Sequence, residues 1–120
     1  MAGSEQITHA QRADRIRGLN DYFRKRLTGG KLFLTSGILQ LASTDTAELL
    51  HLVAGFDAFD AFDDDNDPHR EHDFGSLSWR GERVFWKIDY YDPACRYGSS
   101  DPACPQLTTR VLTIMLASEY

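Results

Sequence analysis

The chain has 120 residues, 42% of them hydrophobic, and a formal net charge of −5. Folding a chain of this size removes roughly two-thirds of its surface from water, so a single domain over residues 1–120 with one core is expected. No apolar run approaches the ~20 residues needed to cross a bilayer. Residues 1–6 lack the basic and apolar stretches of a secretion signal, so a cytoplasmic protein is expected.

The charge is unevenly placed. Residues 1–31 carry seven basic side chains (Arg12, Arg15, Arg17, Arg24, Lys25, Arg26, Lys31) against three acids, whereas residues 45–73 carry ten acids against Arg70 alone. A molecule polarised in this way is expected to meet oppositely charged partners quickly, which is a statement about encounter and not about fold.

Taken in chain order, Ile16, Leu19, Phe23 and Leu27 recur at helical spacing and Gly29-Gly30 supplies a stop, so an amphipathic helix with a basic outer face is expected from about Thr8 to Leu27. Leu32-Phe33-Leu34 reads as a strand, and a turn at Ser36-Gly37 leads to a second short strand at Ile38–Leu41, giving a hairpin. Asp45 followed by Glu48 fits a reciprocally capped helix start, with Leu49, Leu52, Val53 and Phe56 on one face and an end near Phe59. Pro68 cannot continue a helix, so 62–72 reads as a loop long enough to invite a functional reading. Residues 74–79 and 82–91 form a second hairpin about Arg80-Gly81, since Val84, Trp86, Ile88 and Tyr90 alternate with Arg83, Phe85, Lys87, Asp89 and Tyr91. After a Pro/Gly/Ser loop over 92–105, the β-branched content of 108–117 favours a last strand. The fold class expected is α+β: an antiparallel sheet of about five strands with two helices packed on one face.

Chemistry concentrates in the run from Asp63 to Asp73, which admits three readings. As a calcium loop it fails, because Pro68 stands where an EF-hand needs glycine and Phe74 where it needs a bidentate glutamate. As a metal-dependent enzyme, Asp67, His69, His72 and Asp73 offer two imidazoles with carboxylates, the set that suits iron, manganese or zinc. As an acidic interaction surface, the carboxylates of Asp57, Asp60, Asp63, Asp64, Asp65, Asp67, Glu71 and Asp73 imitate nucleic-acid phosphates and fit a basic groove on a protein target. The bland alternative is a solvated loop that keeps the protein soluble. No Gly-x-Ser-x-Gly, phosphate loop or dinucleotide fingerprint accompanies the loop. Neither a catalytic residue nor a cofactor is therefore assigned. The basic helix, through Arg12, Arg15, Arg24, Lys25 and Arg26, raises DNA binding as a third option, against which stands a solvated helix face. Cys95 and Cys104 each end an Asp-Pro-Ala-Cys tetrapeptide and read as reduced loop thiols. Phe85 and Tyr91, mixed with Arg83 and Lys87, mark a possible protein-contact patch.

Several passages carry a family resemblance: 56–59, 65–75, 84–92 and 109–116, with the helix motif Arg15-Ile16-Arg17-Gly18-Leu19-Asn20-Asp21 and Gly29-Gly30. Together they resemble the uncharacterised bacterial family known as domain of unknown function 3768. That resemblance implies a small cytosolic protein frequent on proteobacterial plasmids and mobile elements, where counter-defence factors are common. The expectation drawn is a non-enzymatic accessory protein, an anti-CRISPR or anti-restriction inhibitor. It would bind a CRISPR effector or restriction enzyme, without direct nucleic-acid or membrane contact, and preferably as a monomer.

Overall fold

A computed structural model describes residues 7–56 and 62–120. Helix α1 (His9–Arg26) starts where a reciprocal cap closes: Thr8 Oγ1 accepts from Gln11 N, and Gln11 Oε1 accepts from Thr8 N. It ends at Leu27, whose left-handed backbone lets its N–H reach the Phe23 carbonyl. Strand β1 (Gly30–Leu34) follows, then α2 (Ser36–Ala42), α3 (Ala47–Ala54), β2 (Phe74–Trp79), β3 (Glu82–Tyr91) and β4 (Thr109–Leu116). The four strands lie in the order β1-β4-β3-β2; β3 runs antiparallel to both its neighbours, and β1 runs parallel to β4.

The class is the expected α+β, with its details corrected. Among the described residues the sheet has four strands rather than about five, is mixed rather than antiparallel, and is accompanied by three α-helices rather than two. The difference arises at Ile38–Leu41, which is helix α2 and not a returning strand. Thr35 caps it through Ile38 N, and Glu119 reaches back from the end of the chain to accept from Thr35 Oγ1 and Gly37 N. Those donors, with the Leu116 N–H, hold the Glu119 carboxyl below its ordinary value, the Thr35 hydroxyl contributing most. Ile38 and Ala42, four apart, then form the helix's buried side. With no hairpin partner, β1 pairs with β4 instead.

The cap expected at Asp45 and Glu48 is also corrected. The N-cap of α3 is Thr46, with no side-chain bond, and Glu48 Oε1 instead accepts from Trp79 Nε1 at 2.5 Å. The hairpin turn at Arg80-Gly81 is as read, both residues at positive φ, the conformation whose twist suits a two-residue connection. Arg80 spans from that turn to the Leu41 and Ala42 carbonyls at the end of α2.

Alternation sorts the sheet into two faces. Val84, Trp86 and Ile88 of β3 stand beside Leu112 and Ile114 of β4, and Phe23, Ile38, Leu49 and Val53 from the three helices close over them in one buried cluster. On the opposite face, Phe85 lies 5.2 Å from Phe74 and 5.6 Å from Tyr120 between ring centroids, and is half-buried by its own chain. Gly75 lets β2 run close beneath the Trp86 indole, where a Cβ would collide. Each Asp-Pro-Ala-Cys tetrapeptide makes the same turn, with the cysteine N–H bonded to the aspartate carbonyl at 2.9 Å. Both cysteines are free and half-buried. No helix among the described residues is long and apolar enough to cross a membrane.

Candidate functional site

The loop over 62–73 is seated on α1, and the residues that seat it are polar positions on the buried side of that helix. Asn20 follows Ile16 by four residues and precedes Phe23 by three, which turns it inward, where it is fully buried. Its amide nitrogen donates to the Glu71 carbonyl (2.9 Å) and to Tyr90 Oη (2.7 Å), and its oxygen accepts from Arg110 Nε (2.7 Å). Tyr90 Oη in turn donates to Glu71 Oε1 at 2.8 Å, and an Arg110 terminal nitrogen donates to the Pro102 carbonyl at 2.5 Å. Tyr90 and Arg110 arrive from β3 and β4 as register partners, so the network ties loop, helix and sheet together. Burial pushes the Tyr90 phenol well above its ordinary value and pulls Arg110 down, partly offset by the neighbouring Tyr90 and Glu71.

At the next residue of α1, Asp21 meets His72. The His72 Nδ1 donates to Asp21 Oδ1 at 2.9 Å, since a carboxylate can only accept, while Nε2 faces Asp67 Oδ2 at 3.5 Å. The His72 backbone N–H donates to Asp67 Oδ1 at 2.9 Å, and the imidazole lies flat on the Phe62 ring, 3.7 Å between centroids and 4° from parallel. His72 and Arg70 both hold left-handed backbones, a conformation that costs a non-glycine residue about 1 kcal/mol or more and persists where surrounding bonds impose it. Arg17 supplies one such bond, donating to the Arg70 carbonyl at 3.2 Å.

The outer end of the loop is built differently. Asp63 Oδ1 accepts from the Asp65 and Asn66 N–H groups, both at 2.9 Å, and Asn66 Oδ1 in return accepts from the Asp63 N–H, so the turn is closed by its own side chains. Asp63, Asp64 and Asp65 are exposed, and Asp64 makes one solvent-facing pair with Arg70 at 3.3 Å. A cleft of about 210 Å³ lies between this turn and α1, lined by Arg17, Phe62, Asp63, Asp64, Asp67, Arg70 and His72.

The eight carboxylates of the acidic-surface reading thus part company. Asp57 and Asp60 lie outside the described residues. Asp63, Asp64 and Asp65 face solvent, Asp67 is buried against His72, Glu71 bonds Tyr90, and Asp73 is half-buried. The Asp73 carboxyl is raised above its ordinary value by burial first and then by the charges of Glu71 and Asp67. Of the residues in the metal reading, Asp67 and His72 meet directly, whereas His69 lines a neighbouring groove with His9, Arg12 and Glu71. Among the described residues, no group of three or more His, Cys, Asp or Glu side chains is placed to hold a metal ion. Among the described residues that line the His72 cleft, none is Ser, Thr or Cys.

The basic helix is corrected in one respect: Arg24 belongs to the interior, 1% exposed, with its guanidinium 5.2 Å from the Trp86 ring and one nitrogen 3.1 Å from Asp21. Arg12 pairs with Asp101 at 2.7 Å. Sequence reasoning passed over Asn20, Asp21, Tyr90 and Arg110 as site residues, although the helical spacing from Ile16 and the strand alternation with Ile88 and Leu112 place three of them inward.

No match was found among curated proteins or among solved structures. A family model described as "Protein of unknown function (DUF3768)" matches residues 34–119, a stretch that takes in the acidic loop, β2, β3 and β4 and leaves α1 outside. The chain belongs to that family.

Proposed function

We propose that the protein is a non-enzymatic inhibitor that occupies a basic, nucleic-acid-binding surface of another protein with the carboxylates of its acidic turn. The observation that carries this reading is the Asp63–Asp65 turn itself. Three consecutive carboxylates stand in solvent on a turn closed by its own side chains and held from behind by the Asp67–His72–Asp21 contacts. A pre-set acidic turn loses little conformational freedom on binding and can displace phosphates from a cationic groove. The mobile-element setting implied by the family resemblance supplies the class of target: a CRISPR effector or a restriction enzyme. Buried Asp67 and half-buried Glu71 and Asp73 serve as scaffold in this reading, which narrows the contact surface to Asp63, Asp64 and Asp65 among the described residues.

The test is DNA cleavage by a panel of restriction enzymes and CRISPR nucleases, with the protein added at increasing salt. Inhibition of one of them is expected, weakening as salt rises because exposed charge pairs are screened. It should be lost in the double variant Asp64→Asn/Asp65→Asn, which leaves the capping oxygen of Asp63 in place. Inhibition of none, or inhibition indifferent to those two substitutions, overturns the proposal.

A further inference from the structure

We infer that the free edge of β1 pairs antiparallel with β1 of a second copy of this chain, joining two four-stranded sheets into one. The two edges of the sheet are unequal. β2 is mostly half-buried or buried along its length, whereas four of the five residues of β1 are exposed, and nothing among the described residues pairs with its outer side. Leu32 is 39% and Phe33 59% exposed, so this edge is open on both faces and apolar on both. An edge of that kind templates strand addition unless something blunts it, and the single charge on β1 is Lys31.

The occupant follows from the strand's own symmetry. The Thr35 N–H donates to the Ile114 carbonyl, so Thr35 turns its N–H toward β4, and by alternation Phe33 and Lys31 turn their backbone groups the same way. Gly30, Leu32 and Leu34 therefore direct theirs outward, and these three positions are symmetric about Leu32. A two-fold axis through Leu32 sets Leu32 against its own copy and Gly30 against Leu34 of that copy. All of these are outward-facing pairs that exchange two N–H···O bonds each. Between them Lys31 falls opposite Phe33 of the second copy, so the aliphatic stem of lysine covers an exposed ring and no like charges meet. On the helix side the two Leu32 side chains come together and cover each other. The sequence Gly-Lys-Leu-Phe-Leu is thus complementary to itself in this register and in this direction. This inference departs from the monomer preferred at the close of the sequence analysis, since no reading of the residues there shows which strand edge is left unpaired.

The experiment is sedimentation equilibrium on the full chain over a wide concentration range, with two variants at the exposed position 33 and circular dichroism to verify that each is folded. The wild type is expected to rise from 13.6 kDa toward twice that mass. Phe33→Lys sets lysine against Lys31 on both sides of the axis and should remain at 13.6 kDa. Phe33→Glu creates two cross-strand ion pairs with Lys31 and should retain the dimer, now weakened by salt, with a dissociation constant about tenfold or more below that of the lysine variant. A wild type that stays monomeric throughout overturns the inference, and so does an equal response of the two variants, since apolar contact without this register would be lost alike in both.

Discussion

Asp64 and Asp67 stand three residues apart in one acidic run, yet the Asp64 side chain is 89% exposed and the Asp67 side chain 5%. The outer turn meets its hydrogen-bonding needs within itself, Asp63 and Asn66 closing it in sequence-local bonds. The inner part meets them through α1 and the sheet, across separations of 51 residues from Asp21 to His72 and 70 from Asn20 to Tyr90. A local motif leaves its remaining carboxylate oxygens available to a partner. A long-range network uses them up in holding elements together.

If the inner part is scaffold, the largest loss should follow the removal of Asn20. Asn20→Ala deprives the buried Arg110 Nε of its acceptor and leaves Tyr90 Oη and the Glu71 carbonyl without a donor. Stranded buried groups cost about 1–3 kcal/mol each, so about 3 kcal/mol of unfolding free energy should disappear, read by urea denaturation. Asp67→Ala is expected to cost less, about 2 kcal/mol, because it removes the acceptor of one backbone N–H and a carboxylate facing His72 while the Asp21 contact survives. Near-wild-type stability in both variants would dissolve the distinction between the two parts of the loop.

Much of the architecture was legible because it is periodic. The β2–β3 hairpin, the last strand and the apolar stripe of α1 each follow from alternation or helical spacing over many residues. What could not be read was decided by partners distant in sequence. Ile38–Leu41 reads as a strand from its apolar residues, and lies in a helix whose first turn is capped by Thr35 and, from more than eighty residues away, by Glu119. Glu48 looks like a capping residue until Trp79 offers it a buried indole N–H. The acidic loop presented the same difficulty in another form, since the carboxylates from Asp63 to Asp73 look alike until α1 and Tyr90 select which of them turn inward. Counting charge located the region and could not divide it.

Asp73 sits half-buried near Glu71 and Asp67, and its carboxyl is raised from the ordinary 3.8. The folded state therefore holds the proton more tightly than the unfolded chain does. The stability this group contributes is full below the unfolded value and is lost as pH rises through the folded one. Asp73→Asn, which removes the buried charge and keeps an acceptor, should thus melt above the wild type at pH 7, with the gap closing as pH is lowered toward the ordinary carboxylate value. A gap of the opposite sign, or one indifferent to pH, would mean that Asp73 is charged and satisfied in the folded protein.

The smallest effect on stability belongs to the outer turn. Asp64→Asn/Asp65→Asn removes two exposed charges and leaves every bond that closes the turn, since the capping oxygens are those of Asp63 and Asn66. The pair between Asp64 and Arg70 is largely exposed to solvent, where such pairs contribute little. The double variant should therefore unfold within about 0.5 kcal/mol of the wild type in urea. The same two substitutions are the ones expected to abolish inhibition of a basic target. A variant that folds as well as its parent and no longer inhibits would separate scaffold from contact surface within a single acidic segment. A variant destabilised as much as Asp67→Ala would instead make the whole loop one structural unit, with no carboxylates left over for a partner.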